Sequence, residues 1–282
     1  MNRTSRKAGV AALAILCVSL AGCPAIFNPG VLTVSRLSDI EKDGALAAVR
    51  TVEAMLLSLV VTQTIADLPA LIPPDPFMGE FTIGACPQIT VDVGPAGRGA
   101  VDVTINFGAG CQPVPGVPLT VAGNATGVLD ANLPAVQLNF NGLTANGATL
   151  TGGVDVVYSR DGTFVRMTGG FDVRQSSDGT SYAATGTGGG GLDRATSVAR
   201  LSNYDGCIGN STGEWDANVA DVQALVSAGD GATPNTGSVT LMRSDARMLQ
   251  IIFDANTPAE GTIKISVDGG DFFVANIADL LP

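Results

Sequence analysis

From residue 80 onward, apolar and polar residues alternate in short runs, among them Ile89-Thr90-Val91-Asp92-Val93, Val101 to Phe107, Val136 to Phe140, Val154 to Tyr158 and Ile263-Lys264-Ile265. A period of two sends successive side chains to opposite faces of a strand, so each run predicts a half-buried β-strand. The breaks carry turn chemistry, as in Arg160-Asp161-Gly162 and Ser177-Asp178-Gly179, which suits tight antiparallel connections. The expected fold is therefore mainly β with an N-terminal helix (α+β), its antiparallel β meander forming a sandwich or a half-barrel-like sheet. Val103–Phe107, Val136–Phe140 and Leu249–Phe253 each end on Phe before a turn residue. They predict successive hairpins with a core Phe at the strand end, at spacings too loose for a solenoid.

The helix is announced by Ser38-Asp39-Ile40-Glu41, the S-x-x-E spacing in which serine and glutamate each satisfy a free backbone N–H. It is expected over about Asp39 to Ala66. Leu46, Val49, Val52, Leu56 and Val60 recur at three- and four-residue steps, against a more polar or small-residue stripe of Asp43, Ala47, Arg50, Ala54, Ser58 and Thr62, so one face is built to be covered. A membrane helix through Ala54 to Val61 is the rival, but Arg50 and Glu53 interrupt it and a charge at the centre of a span costs several kcal/mol. Pro69, Pro73, Pro74 and Pro76 cannot continue a helix, since proline lacks the N–H and clashes with the preceding turn.

At the start of the chain, Arg3, Arg6 and Lys7 precede an uncharged apolar run from Ala8 to Leu20, the pattern of a targeting segment. The run is shorter than the roughly 20 residues that cross a bilayer. It ends in Leu20-Ala21-Gly22-Cys23, which resembles the lipobox of bacterial lipoprotein precursors, a resemblance confined to the first 23 residues. It implies diacylglycerol on the Cys23 sulfur, cleavage before Cys23, and acylation, as with palmitate, of the new amino terminus. The membrane would then be a partner through lipid on Cys23, each buried methylene contributing about 0.8 kcal/mol. Pro24, rather than an Asp, tilts the resemblance toward the outer membrane or cell surface. The alternative is a secretory signal that leaves Cys23 a thiol, though no A-x-A tripeptide sits where that cut belongs.

The expected organisation is thus a signal peptide at 1–22, a tether at 23–37, an amphipathic helix at 38–67, a Pro-rich linker at 68–79 and a β-rich domain at 80–282. Removing residues 1–22 takes away three basic residues and no acid, which leaves 12 basic against 26 acidic residues and a formal charge of −14. Such a surface repels nucleic acid, which is not expected as a partner.

Cysteine placement gives one structural expectation. Gly94, Pro95, Gly97 and Gly99 mark a turn, and folding Ile89–Val93 onto Val101–Phe107 brings Cys86 and Cys111 close to opposition. A disulfide between them suits an oxidising envelope and would contribute on the order of 3 kcal/mol by restricting the unfolded chain. The segment ending in "NFGAGC" is also similar to stretches of bacterial surface lipoproteins, which brings no activity with it. Cys207 is left over: a buried thiol, a partner for either of the others, or a link between two molecules.

The chain contains no histidine, so Ser-His-Asp and Cys-His constellations and imidazole metal sites are excluded. Carboxylate pairs could still hydrolyse a glycoside, yet Glu80, Glu214 and Glu260 stand isolated and are expected on solvated strand faces or loops. Gly186-Thr187-Gly188-Gly189-Gly190-Gly191 fits G-x-G-x-x-G, but among hairpins rather than at a βαβ unit. Gly188 to Asp193 also fits one copy of a calcium-binding repeat, with Arg194 where that repeat is apolar, and one copy cannot stack. A flexible glycine turn is expected there. Asp268-Gly269-Gly270-Asp271 could gather calcium, but D-G is foremost a tight-turn pair. Trp215, the single tryptophan, is expected in the core or at a sheet edge. No catalytic residue, cofactor or metal site is therefore expected. The favoured function is that of a lipid-anchored envelope protein of structural or interaction type. Its rivals are a carrier of an apolar ligand and a hydrolase using carboxylates alone. A filled core would favour the first, a cavity of several hundred Å³ the second, and converging carboxylates the third.

Overall fold

Ser38 and Glu41 close the expected capping box at the start of helix α1 (Asp39–Ala66) in the computed structural model. The Ser38 amide donates to Glu41 Oε2 (2.7 Å) and the Glu41 amide to Ser38 Oγ (3.3 Å). At the other end, Arg160 Nη2 donates to the Ala66 carbonyl (2.9 Å), placing a cation where the last carbonyls lack helical partners. The structure describes residues 34, 37–66, 79–93, 100–130, 134–145, 147–161, 164–177, 179–228 and 231–281. The targeting segment, Cys23, the tether apart from Val34 and Leu37, and the Pro-rich stretch up to residue 78 lie outside them.

Fourteen strands follow among the described residues. They are β1 (Gly79–Ile83), β2 (Gln88–Val93), β3 (Ala100–Cys111), β4 (Val121–Asp130), β5 (Ala135–Ala145), β6 (Ala148–Asp161), β7 (Phe164–Ser177), β8 (Thr180–Asp193), β9 (Val198–Asn210), β10 (Gly213–Leu225), β11 (Thr236–Met242), β12 (Met248–Phe253), β13 (Thr262–Val267) and β14 (Phe273–Asn276). They form one antiparallel sheet in chain order, with β1 and β14 as its edges. The meander is therefore a single open antiparallel sheet. The short helix α2 (Asn256–Glu260) joins β12 to β13, and a 3-10 turn (Ile277–Leu280) follows β14. Asp161 pairs with Phe164 and Ser177 with Thr180 across the two expected turns.

The sheet buries its apolar face on α1, which packs against every strand from β5 to β12 and against the 3-10 turn. In β3, Val101, Val103, Ile105 and Phe107 are buried while Asp102, Thr104 and Asn106 are exposed. The helix differs from its sequence pattern. All but six of its 28 residues are buried, only Asp39, Ile40, Lys42, Asp43, Arg50 and Glu53 keeping solvent contact. A stripe cannot be covered on one side when the sheet curls round it; apart from Asp43 and Arg50, the supposed polar face is inside as well. Its hydroxyls are satisfied locally, Thr51 Oγ1 donating to the Ala47 carbonyl, Ser58 Oγ to Met55, Thr62 Oγ1 to Ser58 and Thr64 Oγ1 to Val61, all at 2.6–2.7 Å. That bonding removes most of the penalty for burying them. By length and composition α1 could span a membrane, yet here the sheet takes the place of lipid.

Two other expectations are corrected. Phe107 and Phe140 are buried in the core but do not end their strands; β3 runs on to Cys111 and β5 to Ala145. Register shifts beside them, at Asn106/Gly108 and Asn141/Leu143, where Gly108 and Gly142 have φ of 57° and 76°, a conformation open to glycine. Phe253 does end β12. The Gly186–Gly191 run is no turn: it lies within β8. Gly190 faces the helix, and a Cβ there would meet Leu59 Cδ1 at 2.8 Å. A Cβ on Gly186 would stand 2.9 Å from Tyr204 Cζ, and one on Gly206 would stand 2.7 Å from the Tyr204 hydroxyl oxygen. The inward glycines leave room for the helix and for the Tyr204 ring, which meets Phe171 edge to face at 6.3 Å.

Candidate functional site

Outward-facing residues of β5–β8 fall into two cross-strand rows. One runs Gln137, Asp155, Gly170, Thr187 and the other Asn139, Gly153, Asp172, Thr185. Each row has a glycine where its neighbours carry polar side chains, and the two gaps sit diagonally. The result is an open groove of ≈ 490 Å³. Gln137 Nε2 donates to Asp155 Oδ2 (3.1 Å) and Thr185 Oγ1 to Asp172 Oδ1 (3.5 Å), with Arg174 Nε 4.0 Å from the same oxygen. The carboxylates are thus held in place while remaining exposed. On the far side of Thr185 lies a second hollow of ≈ 330 Å³ over β8–β10, lined by Arg174, Cys207, Asn210 and Glu214 among others. Period-two alternation puts these residues outside, but their sequence carries no signal that they converge, because registers between strands are set by the whole meander.

Cys86 and Cys111 are joined, with Cα atoms 5.7 Å apart. The hairpin register is the expected one, Ile89 pairing with Ile105 and Val91 with Val103. Cys207 is a free thiol. It is half-exposed on the outer face of β9 rather than buried. Partial burial raises its pKa, and the nearby Glu214 and Asp216 carboxylates raise it further; a protonated thiol is a poor nucleophile.

The remaining candidates are dispersed. Glu80 lies exposed on β1, Glu214 on β10 and Glu260 in α2. Asp268 adopts a φ of 50° in the β13–β14 turn, where it accepts from Arg247 Nη1 (2.6 Å) and from the Met248 amide (2.9 Å). Among the described residues, no group of three or more Cys, Asp or Glu could hold a metal ion. Trp215 is buried against α1.

Another ionisable cluster lies mostly inside. Glu53 accepts from Arg50 Nη1 (3.2 Å) and from Thr233 Oγ1 (3.4 Å), and is bonded by the buried Gln175. Burial pushes its carboxyl above the ordinary glutamate range, and the Arg50 charge and these hydrogen bonds only partly offset that. The cluster anchors α1 to β7 and to the β10–β11 connection. The space near Gln175, lined by Leu57, Val61, Leu143 and Leu150, measures ≈ 10 Å³.

Comparison of the chain with protein-family models, with curated proteins and with solved structures finds no match.

Proposed function

We propose that this is a lipid-anchored cell-envelope protein, held by diacylglycerol on Cys23 at the outer membrane or cell surface, that acts as a structural or interaction module without catalysis. The observation that carries this proposal is the occupied interior. Helix α1 fills the curl of the sheet, and the ≈ 10 Å³ beside it is about one water's space, whereas ligand pockets run from about 300 Å³. The carrier alternative gains nothing from such a core. The usable surface is the outside, which carries Asp92, Asp102, Asp155, Asp172, Asp205 and Asp216. That is the reverse of a membrane barrel, whose outer face is apolar, and it leaves attachment to the lipid on Cys23.

Mass spectrometry of the mature amino terminus tests the anchor: a lipidated Cys23 is expected, and Cys23→Ala should release or stall the protein. An unmodified cysteine, or another start, defeats it. Crosslinking of the native lipoprotein in intact envelopes, with a photoreactive residue at Thr185, should capture one defined neighbour. Copurifying apolar ligand would favour the carrier instead. Turnover of glycans, esters or peptides that disappears in Asp155→Asn, Asp172→Asn, Glu80→Gln, Glu214→Gln or Glu260→Gln would overturn the non-catalytic role.

A further inference from the structure

We infer that the groove across β5–β8 binds a hydroxyl-rich, non-acidic sugar chain, an inference that rests on the surface-acting function proposed above. Its two glycines are not equivalent. A Cβ on Gly153 would run into the Leu138 carbonyl oxygen, so the close approach of β5 to β6 requires glycine there. A Cβ on Gly170 would meet only the Asp155 carbonyl oxygen, at 3.9 Å, an ordinary contact, and its φ lies outside the left-handed region. Glycine in a strand interior weakens it by roughly 0.5–1 kcal/mol relative to alanine. The sheet has no steric need for Gly170; what its missing side chain maintains is the depth of the groove between Gln137, Asp155 and Thr187.

The lining selects the ligand class. Gln137 and Asn139 each present an amide donor and acceptor, Asp155 and Asp172 are acceptors when ionised, and Thr185 and Thr187 do both. Paired polar atoms of this kind match neighbouring hydroxyls on a sugar ring. Two carboxylates in the groove, on a chain of net charge −11, disfavour phosphates and uronic acids. The groove is open along the sheet, and a second hollow lies on the far side of Thr185, an arrangement that suits an extended chain better than a single small molecule.

The test uses the full-length lipoprotein in detergent micelles, with chitotetraose as neutral probe and tetragalacturonate as acidic probe, read by saturation-transfer NMR and calorimetry. Chitotetraose should bind with millimolar or better affinity, and the acidic probe roughly tenfold more weakly or not at all. Gly170→Val should weaken chitotetraose binding by roughly tenfold or more with the unfolding midpoint unchanged or raised. Asp172→Ala, at an exposed position, should weaken it also. Val274→Thr, exposed on the edge strand β14 and far from the groove, should leave it unchanged. No binding of chitotetraose at millimolar concentration, equal binding of both probes, or full binding by Gly170→Val and Asp172→Ala would overturn the assignment. The mass-spectrometric test of Cys23 does not involve the groove, so a failed ligand class and a failed surface-anchored role are distinguishable.

Discussion

Gly44 of α1 is packed against the indole of Trp215 on β10: a Cβ on Gly44 would stand 2.7 Å from Cε2 and 2.8 Å from Cζ2 of the ring. A glycine inside a helix costs about 1 kcal/mol relative to alanine, and here it makes room for the largest side chain in the core. Gly44→Ala should therefore destabilise despite its better propensity, by about 1–2 kcal/mol, since overpacking costs about 1–3 kcal/mol. In a double-mutant cycle read by urea denaturation, Trp215→Leu should abolish the penalty of Gly44→Ala. A Gly44→Ala penalty undiminished by Trp215→Leu would show that the contact is not the cause.

The same logic separates two glycines of neighbouring strands. Gly190→Val would press on Leu59 Cδ1 and on the Arg200 carbonyl, and should lower stability by about 3 kcal/mol or more. Because the carbonyl belongs to the backbone, Leu59→Ala should not rescue it. Thermal unfolding of Gly190→Val beside Gly170→Val checks the contrast.

Removing the disulfide with Cys86→Ser and Cys111→Ser together should cost about 3 kcal/mol, the bridged cysteines being 25 residues apart. Non-reducing peptide mapping should find Cys86 joined to Cys111 and Cys207 alkylated. A bridge from Cys207 to either would contradict the β2–β3 register.

Glu53 gives a pH dependence of defined sign. Its folded pKa is raised, so above the ordinary glutamate value of about 4.3 the folded state holds a proton that the unfolded state has lost. Stability from this group therefore falls as pH rises from there through the folded pKa, and the group contributes no slope below that window. Glu53→Gln keeps a polar partner for Thr233 and Gln175 and should remove that slope. Chemical denaturation of the two proteins at intervals between roughly pH 4 and 8 tests it; parallel curves would place the slope elsewhere.

Much of the architecture was legible in local pattern. Ser38 and Glu41 set the start of α1, because a capping box is a bond between residues three apart, and the proline-rich stretch fits an end near Ala66. The turn residues at 160–162 and 177–179 marked two hairpins, and the spacing of Cys86 and Cys111 about a Gly/Pro turn marked the disulfide. Each of these depends on residues near one another in the chain. Tertiary structure alone decided the rest. The small and hydroxylated side of α1 looked solvent-facing until eight strands were found around it. Gly186–Gly191 read as a turn because its need for glycine comes from Leu59, Arg200 and Tyr204, none adjacent to it in sequence. The groove at Asp155, Gly170 and Asp172 exists only where registers across β5–β8 align two rows of outward side chains, and register is a property of strand pairing that no single strand's alternation specifies.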